Sequence, residues 1–309
     1  MPCRSLLLAA LPALLALVGA CAASPGPGAS SSSGTAAPVE LPGVDSTSLT
    51  AREKSEWSGH VSQLLAPCPD QPVSLATCVE QHRSCGLCVP AAKFLVKQVS
   101  KGKTASQVET AFRLRFAPET KKTLDLGGSP AKGPASAPIV IAEWADFECP
   151  FCGNAAPMLD ELMSSHPGEI RLVFKHYPLA MHKFAEKAAR AAVAADRQGK
   201  FWEMHHLLFE NAPDLDAPAL ARLAQKAGLD MPKFEADLGS QAVTDVLERD
   251  KRQAEKLELH STPMIFINGR QFDLEHFKLS EDLKDWIDLE LEIAGKKPAP
   301  AAPEAPSKT

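Results

Sequence analysis

What the chain lacks narrows its functions first. Beyond its N-terminus it has no apolar run long enough to cross a bilayer. Its formal net charge of -5 is small and mixed in sign, so no basic face is available for nucleic acid. No methionine or histidine pattern accompanies the cysteines in the way a copper carrier needs, so no metal is expected. No segment stands out as a dimerisation element. What remains is 309 residues, 45% hydrophobic, enough for one large domain and a small one.

The stretch with most chemistry is Trp144-Ala-Asp-Phe-Glu-Cys149-Pro150-Phe151-Cys152. The apolar run Ile139-Val140-Ile141-Ala142 enters it as a buried strand. Phe151, Ala155, Leu159, Leu162 and Met163 leave it at helical spacing. Cys149 is therefore expected at a helix N-cap, with Pro150 in the first turn, where proline costs least. Free backbone N–H groups and the helix dipole favour a thiolate there, and Cys152, one turn on, is placed to attack a mixed disulfide on Cys149.

The remaining cysteines divide by position. Arg4 and the apolar run from Leu6 to Ala20 read as an export signal over 1–20, ending in Val18-Gly19-Ala20-Cys21. That end resembles the lipobox of bacterial lipoproteins, which implies acylation of Cys21 and a lipid anchor. Residues 21–54 begin with an Ala/Ser/Gly/Pro stretch and read as a flexible tether, and 296–309 as a disordered tail. Cys68, Cys78, Cys85 and Cys88 form a separate group. Structural disulfides are the expectation in an oxidising compartment, with three pairings open. A second redox pair at Cys85-Gly-Leu-Cys88 and a four-cysteine zinc site are the competing readings. Two helices follow, the second opened by Thr104 with Gln107 at capping-box spacing, so 55–125 is read as a small disulfide-stapled helical domain. Within it, the segment beginning Val96-Lys97-Gln98 resembles the helical hairpin of CcmH-type cytochrome c maturation proteins over about twenty residues. The cysteines do not follow that family's placement, so no redox role is carried over.

After a Gly/Pro/Ser-rich hinge over 126–137, the larger domain is read over 138–295. A second strand runs from Ile170 to His176. Helices over about 183–258 follow, with Asp216 capping one, Asp230 with Pro232 opening a short one, and Ser240 or a neighbour starting the last. Ser261-Thr262-Pro263 then meets an apolar strand ending in Asn268-Gly269, a hairpin signal. Ser280 is read as the cap of a last helix.

This order resembles the DsbA-like branch of the thioredoxin superfamily. The resemblance rests on Phe147-Glu-Cys-Pro-Phe-Cys152, Gly199-Lys-Phe-Trp-Glu-Met204 and Ser261-Thr-Pro-Met-Ile-Phe-Ile-Asn-Gly269. It implies an α/β thioredoxin fold with a helical insertion and a thiol–disulfide oxidoreductase acting on exported proteins, whether as oxidase, reductase or isomerase. It implies Cys149 as nucleophile, Cys152 as resolving thiol and Glu143 as the buried acid that moves a proton. Pro263 would be a cis-proline against the cysteines, with Thr262 offering its backbone to substrate beside Pro150 and Phe151. It implies no cofactor beyond the Cys149–Cys152 disulfide, and a membrane redox partner to recycle that disulfide. The expected location is the periplasmic side of a bacterial envelope. Phe151 stands where the family's strongest oxidants carry histidine, so a weaker oxidant is expected. A solvated Glu143 is the alternative, and Asp146 and Glu148 are read as surface charge. His176, His182, His205 and His206 are read as ordinary helix or loop histidines. A non-catalytic envelope chaperone and a reductase serving cytochrome c maturation are the competing functions.

Overall fold

The computed structural model describes residues 39–296. The export signal, Cys21, the first part of the tether and nearly all of the tail lie outside the described residues.

Four helices come first: α1 (Ala51–Gln63), α2 (Leu75–Glu80), α3 (Cys88–Ser100) and α4 (Ala105–Phe116). Local chemistry sets their starts. Thr50 and Glu53 close a capping box on α1, Ser74 caps α2, and Thr104 with Gln107 closes the expected box on α4. The tether reading extended too far. Leu41 and Leu49 are buried and α1 already begins at Ala51, because the low-complexity composition stops before these residues begin. Of the three pairings, the disulfides are Cys68–Cys85 and Cys78–Cys88, with Cα separations of 5.9 and 6.1 Å.

A five-stranded sheet follows in the order β1-β3-β2-β4-β5, built from β1 (Ala131–Lys132), β2 (Ile139–Ala145), β3 (Ile170–His176), β4 (Met264–Ile267) and β5 (Arg270–Phe272). Strands β2 and β3 are parallel and the other pairs antiparallel. The parallel pair needs a crossover, and α5 (Pro150–Ser165) supplies it. β1 lies inside the stretch read as a hinge. Gly133 beside it has a φ of +91°, and a Cβ there would strike the Ile170 carbonyl, so only glycine fits.

Between β3 and β4 lies the helical insertion: α6 (Ala185–Asp196), α7 (Phe201–Asn211), α8 (Ala217–Lys226), α9 (Met231–Leu238) and α10 (Gln241–Lys256). Asp216, Asp230 and Ser240 cap α8, α9 and α10 as read. The insertion is fastened to the sheet by buried Asp250. Its carboxylate takes the Lys175 ammonium at 3.2 Å and the His176 N–H at 3.0 Å, and its backbone carbonyl takes the Trp144 indole N–H at 3.3 Å. The last helix, α11 (Leu279–Ile293), starts one residue before Ser280, which is therefore not its cap. Asp282 instead reaches back to the Lys278 N–H.

Side-chain alternation along β2 decides what faces the site. Ile139 and Ile141 point into the core that holds Leu159, Leu162 and Trp286, whereas Ala142 and Trp144 point to Ala254, Leu259 and Phe266 on the other face. The same apolar cluster as Ile139 holds Trp57, Leu95 and Phe116, so the N-terminal helices and the sheet share one core. Buried Arg115 of α4 completes the join, ion-paired with Glu290 of α11 at 2.5 Å and lying over the Trp286 ring.

Candidate active site

Cys149 is the N-cap of α5, in extended conformation (φ -74°, ψ 118°), with Pro150 in the first helical position. Cys149 and Cys152 are the two free cysteines among the described residues, and both are buried. The loop before β4 comes against them from far along the chain. Its Thr262–Pro263 peptide is cis, and the Thr262 carbonyl oxygen lies 3.4 Å from Cys149 Sγ. A cleft of 660 Å³ opens beside this contact, lined by Phe151, Met158, Thr262, Pro263, Leu274 and Phe277. Phe151 is 69% exposed, an unusual state for a phenylalanine, and Leu274 is exposed as well.

The two sulfurs differ in charge preference. Cys149 is drawn down to about 5, first by the hydrogen bond from the Cys152 thiol, with help from the N–H groups of Cys152 and Phe151, and against the effect of burial. Cys152 is pushed far up, first by burial, then by its bond to Cys149 and the negative charge of Glu143. A charged outer sulfur and a neutral inner one result.

Glu143 falls on the Ile139–Ile141 side of β2, toward α5, and is 1% exposed. It is a buried acid and not a solvated one. Its carboxyl is pushed up to about 8, first by burial and then by the charges of Asp160 and Cys149, and Oε1 has no hydrogen-bond partner. Asp160, two turns along α5 from Cys152, pairs with Lys132 and, at 2.9 Å, with His206.

Sequence reasoning misread Asp146. It is 1% exposed, and its carboxylate accepts from the N–H groups of Glu148 and Leu179, each at 2.8 Å, and from His182 Nδ1 at 2.7 Å. Glu148 is tied too, accepting from the Phe184 N–H. The available signal was an aspartate two residues before an N–H that a turn leaves free, a common side-chain acceptor position. His176 and His205 are also less ordinary than their types suggested. They lie buried among Phe147, Phe174 and Phe201, neither His176 nitrogen nor His205 Nδ1 has a partner, and burial draws them down to about 4 and about 3. Trp202 lies partly buried where the core clusters meet.

Comparison with known proteins agrees with this geometry. A family model described as Thioredoxin matches residues 125–289, more than half of the chain. BdbD from Bacillus subtilis superposes with a TM-score of 0.50 at 22% identity, over 56% of this chain and 97% of that one, which shows a shared fold. A thioredoxin-like oxidoreductase from Silicibacter pomeroyi gives a TM-score of 0.48 at 26% identity, over 52% and 91% of the two chains. The Na(+)/H(+) antiporter NhaA 3 of Salinispora tropica is 39% identical over 141 residues, 45% of this chain and 22% of that protein. The chain thus spans less than a quarter of that relative's length, and among the described residues no helix is long and apolar enough to cross a membrane. With a matching family model, a CxxC at the head of the crossover helix and a helical insertion between β3 and β4, the chain belongs to the thioredoxin family.

Proposed function

We propose that the chain is a thiol–disulfide oxidoreductase acting on exported proteins, with Cys149 as nucleophile and Cys152 as resolving thiol. The observation that carries this reading is the asymmetry of the two sulfurs: a depressed Cys149 at a helix mouth and a raised, buried Cys152 one turn behind it.

In the reducing direction, the Cys149 thiolate attacks one sulfur of a substrate disulfide. The substrate S–S bond breaks, a mixed disulfide forms, and the leaving thiolate takes a proton from water. Forming that bond removes the charge on Cys149, one of the charges that hold Glu143 protonated. Glu143 then loses its own proton to water more readily, and as a carboxylate it accepts the Cys152 proton. Cys152 attacks Cys149 Sγ, closing the Cys149–Cys152 disulfide and releasing the second substrate thiolate. Run backwards, the same steps oxidise a substrate dithiol.

Thr262 and Pro263 lie where an extended substrate can pair with backbone, and the cleft beside Phe151 offers apolar surface for its side chains. The same reading puts the protein in the bacterial envelope, anchored through Cys21 and recycled by a membrane redox partner. Insulin reduction and refolding of scrambled ribonuclease test it, with Cys149→Ser in parallel. Full activity in that variant would take the nucleophile's role from Cys149, and no activity in the wild type would replace the enzyme by a non-catalytic binding module. A redox titration of the pair then assigns the direction.

A further inference from the structure

The turn that delivers Cys149 to its helix is stitched to a second loop, and the stitch carries a titratable cation. The Asp146 backbone carbonyl accepts from the Cys149 N–H at 3.1 Å, so the two residues close one turn. The Asp146 carboxylate, fully buried, holds the loop after β3 at the Leu179 N–H and at His182 Nδ1. Glu148, also in the turn, holds the same loop again through the Phe184 N–H. The His182 ring is therefore fixed one carboxylate away from the turn that ends at Cys149. Its side chain stays 20% exposed, so it exchanges protons with water.

We propose that His182 supplies a positive charge to the Cys149 sulfur, and that Asp146 is its positioning residue. The assignment deepens the thiol–disulfide reading above and rests on it. Asp146 bonds Nδ1, which fixes a proton on that nitrogen and leaves Nε2 as the atom that gains or loses charge. Against the cost of burial, His182 is raised by its hydrogen bond to Asp146, then by the charges of Asp146, Cys149 and Glu148. The groups facing it are these three from the turn, its neighbour Lys183, Tyr177 from the same loop, Glu186, Lys187 and Arg190 from α6, and Glu248 and Lys251 from α10 across a shared cleft. An imidazolium held one carboxylate away from the cysteine turn stabilises a thiolate there through space, and the thiolate raises the imidazole by the same free energy. Closing the Cys149–Cys152 disulfide removes the sulfur's charge, so His182 must become easier to deprotonate in oxidised protein.

Two measurements on the full chain test this. The first is the pH profile of iodoacetamide reaction at Cys149 in reduced wild type, His182→Gln and His182→Lys. Loss of the charge is expected to move the His182→Gln midpoint up by about 1 unit, which is about tenfold slower alkylation at the acid end, and His182→Lys to restore it. The second is the His182 titration by NMR, expected to fall on oxidation. A His182→Gln profile that overlays wild type, a His182→Lys profile no better than His182→Gln, or an unchanged imidazole titration between redox states each overturns the assignment. The broader reading fails separately, if wild-type Cys149 does not exchange with glutathione disulfide at all.

Discussion

Cys85-Gly-Leu-Cys88 and Cys149-Pro-Phe-Cys152 share a spacing and a place at a helix start, yet only the second is a free thiol pair. In the first, each cysteine is bonded outward, Cys85 to Cys68 and Cys88 to Cys78, and the cross-links staple helices too short to hold a core alone. Cys88 is already inside its helix, behind Leu87 as N-cap. In the second, Cys149 is itself the cap, no unpaired cysteine other than Cys152 exists among the described residues, and the Thr262–Pro263 loop covers the sulfur. The spacing is therefore not the function. What surrounds it decides whether sulfur becomes a staple or a reagent.

The sharpest way to break this comparison is to remove one sulfur from each motif. Cys149→Ser is expected to drop insulin reduction to background, whereas Cys88→Ala leaves the rate intact and lowers stability by about 3 kcal/mol in urea unfolding. Equal losses of activity would erase the distinction.

Next comes Glu143, which has no counterpart beside Cys88. Its folded value, about 8, is above the ordinary 4.5, so its contribution to stability is fully present in acid, falls as pH rises above about 4.5 and is completely lost by about 8. Glu143→Gln is expected to raise stability by about 3 kcal/mol at pH 7 while slowing the resolving step, seen as a longer-lived mixed disulfide. A less stable variant with normal resolution contradicts the role.

A smaller effect belongs to His176 in the aromatic layer beneath the active helix. Its folded value lies below the unfolded one, so its cost appears as pH falls below about 6.5 and is complete near 4. His176→Leu should recover about 2 kcal/mol at pH 5 and almost nothing at pH 8, read as a flattened acid limb in a stability–pH curve. The least effect is expected at Gly86. A Cβ there meets open space, so Gly86→Ala changes neither disulfide mapping nor, beyond about 0.5 kcal/mol, stability.

How much could be read beforehand follows from how local each signal is. Caps at Asp216, Asp230, Ser240 and Thr104 are decided within four residues, and all four stand. The crossover strand pair, the hairpin and the cysteine helix are written in period and punctuation, which survive without tertiary context. Ser280 failed because Lys278 and Asp282 offered a competing start. β1 escaped because two residues carry no periodicity. The disulfide pairing and the Asp146–His182 bond depend on residues brought together by the whole fold, and no local pattern encodes them. Glu143 was half legible: alternation from Ile139 and Ile141 already put it on the α5 side, but not how deep that side is.

Asp250 has a practical consequence. By clasping both central strands at the root of the insertion, it ties the position of α10 to that of β2 and β3. A neutral residue at position 250 would therefore unfasten the insertion and the strands together, and leave the Lys175 ammonium buried without its partner.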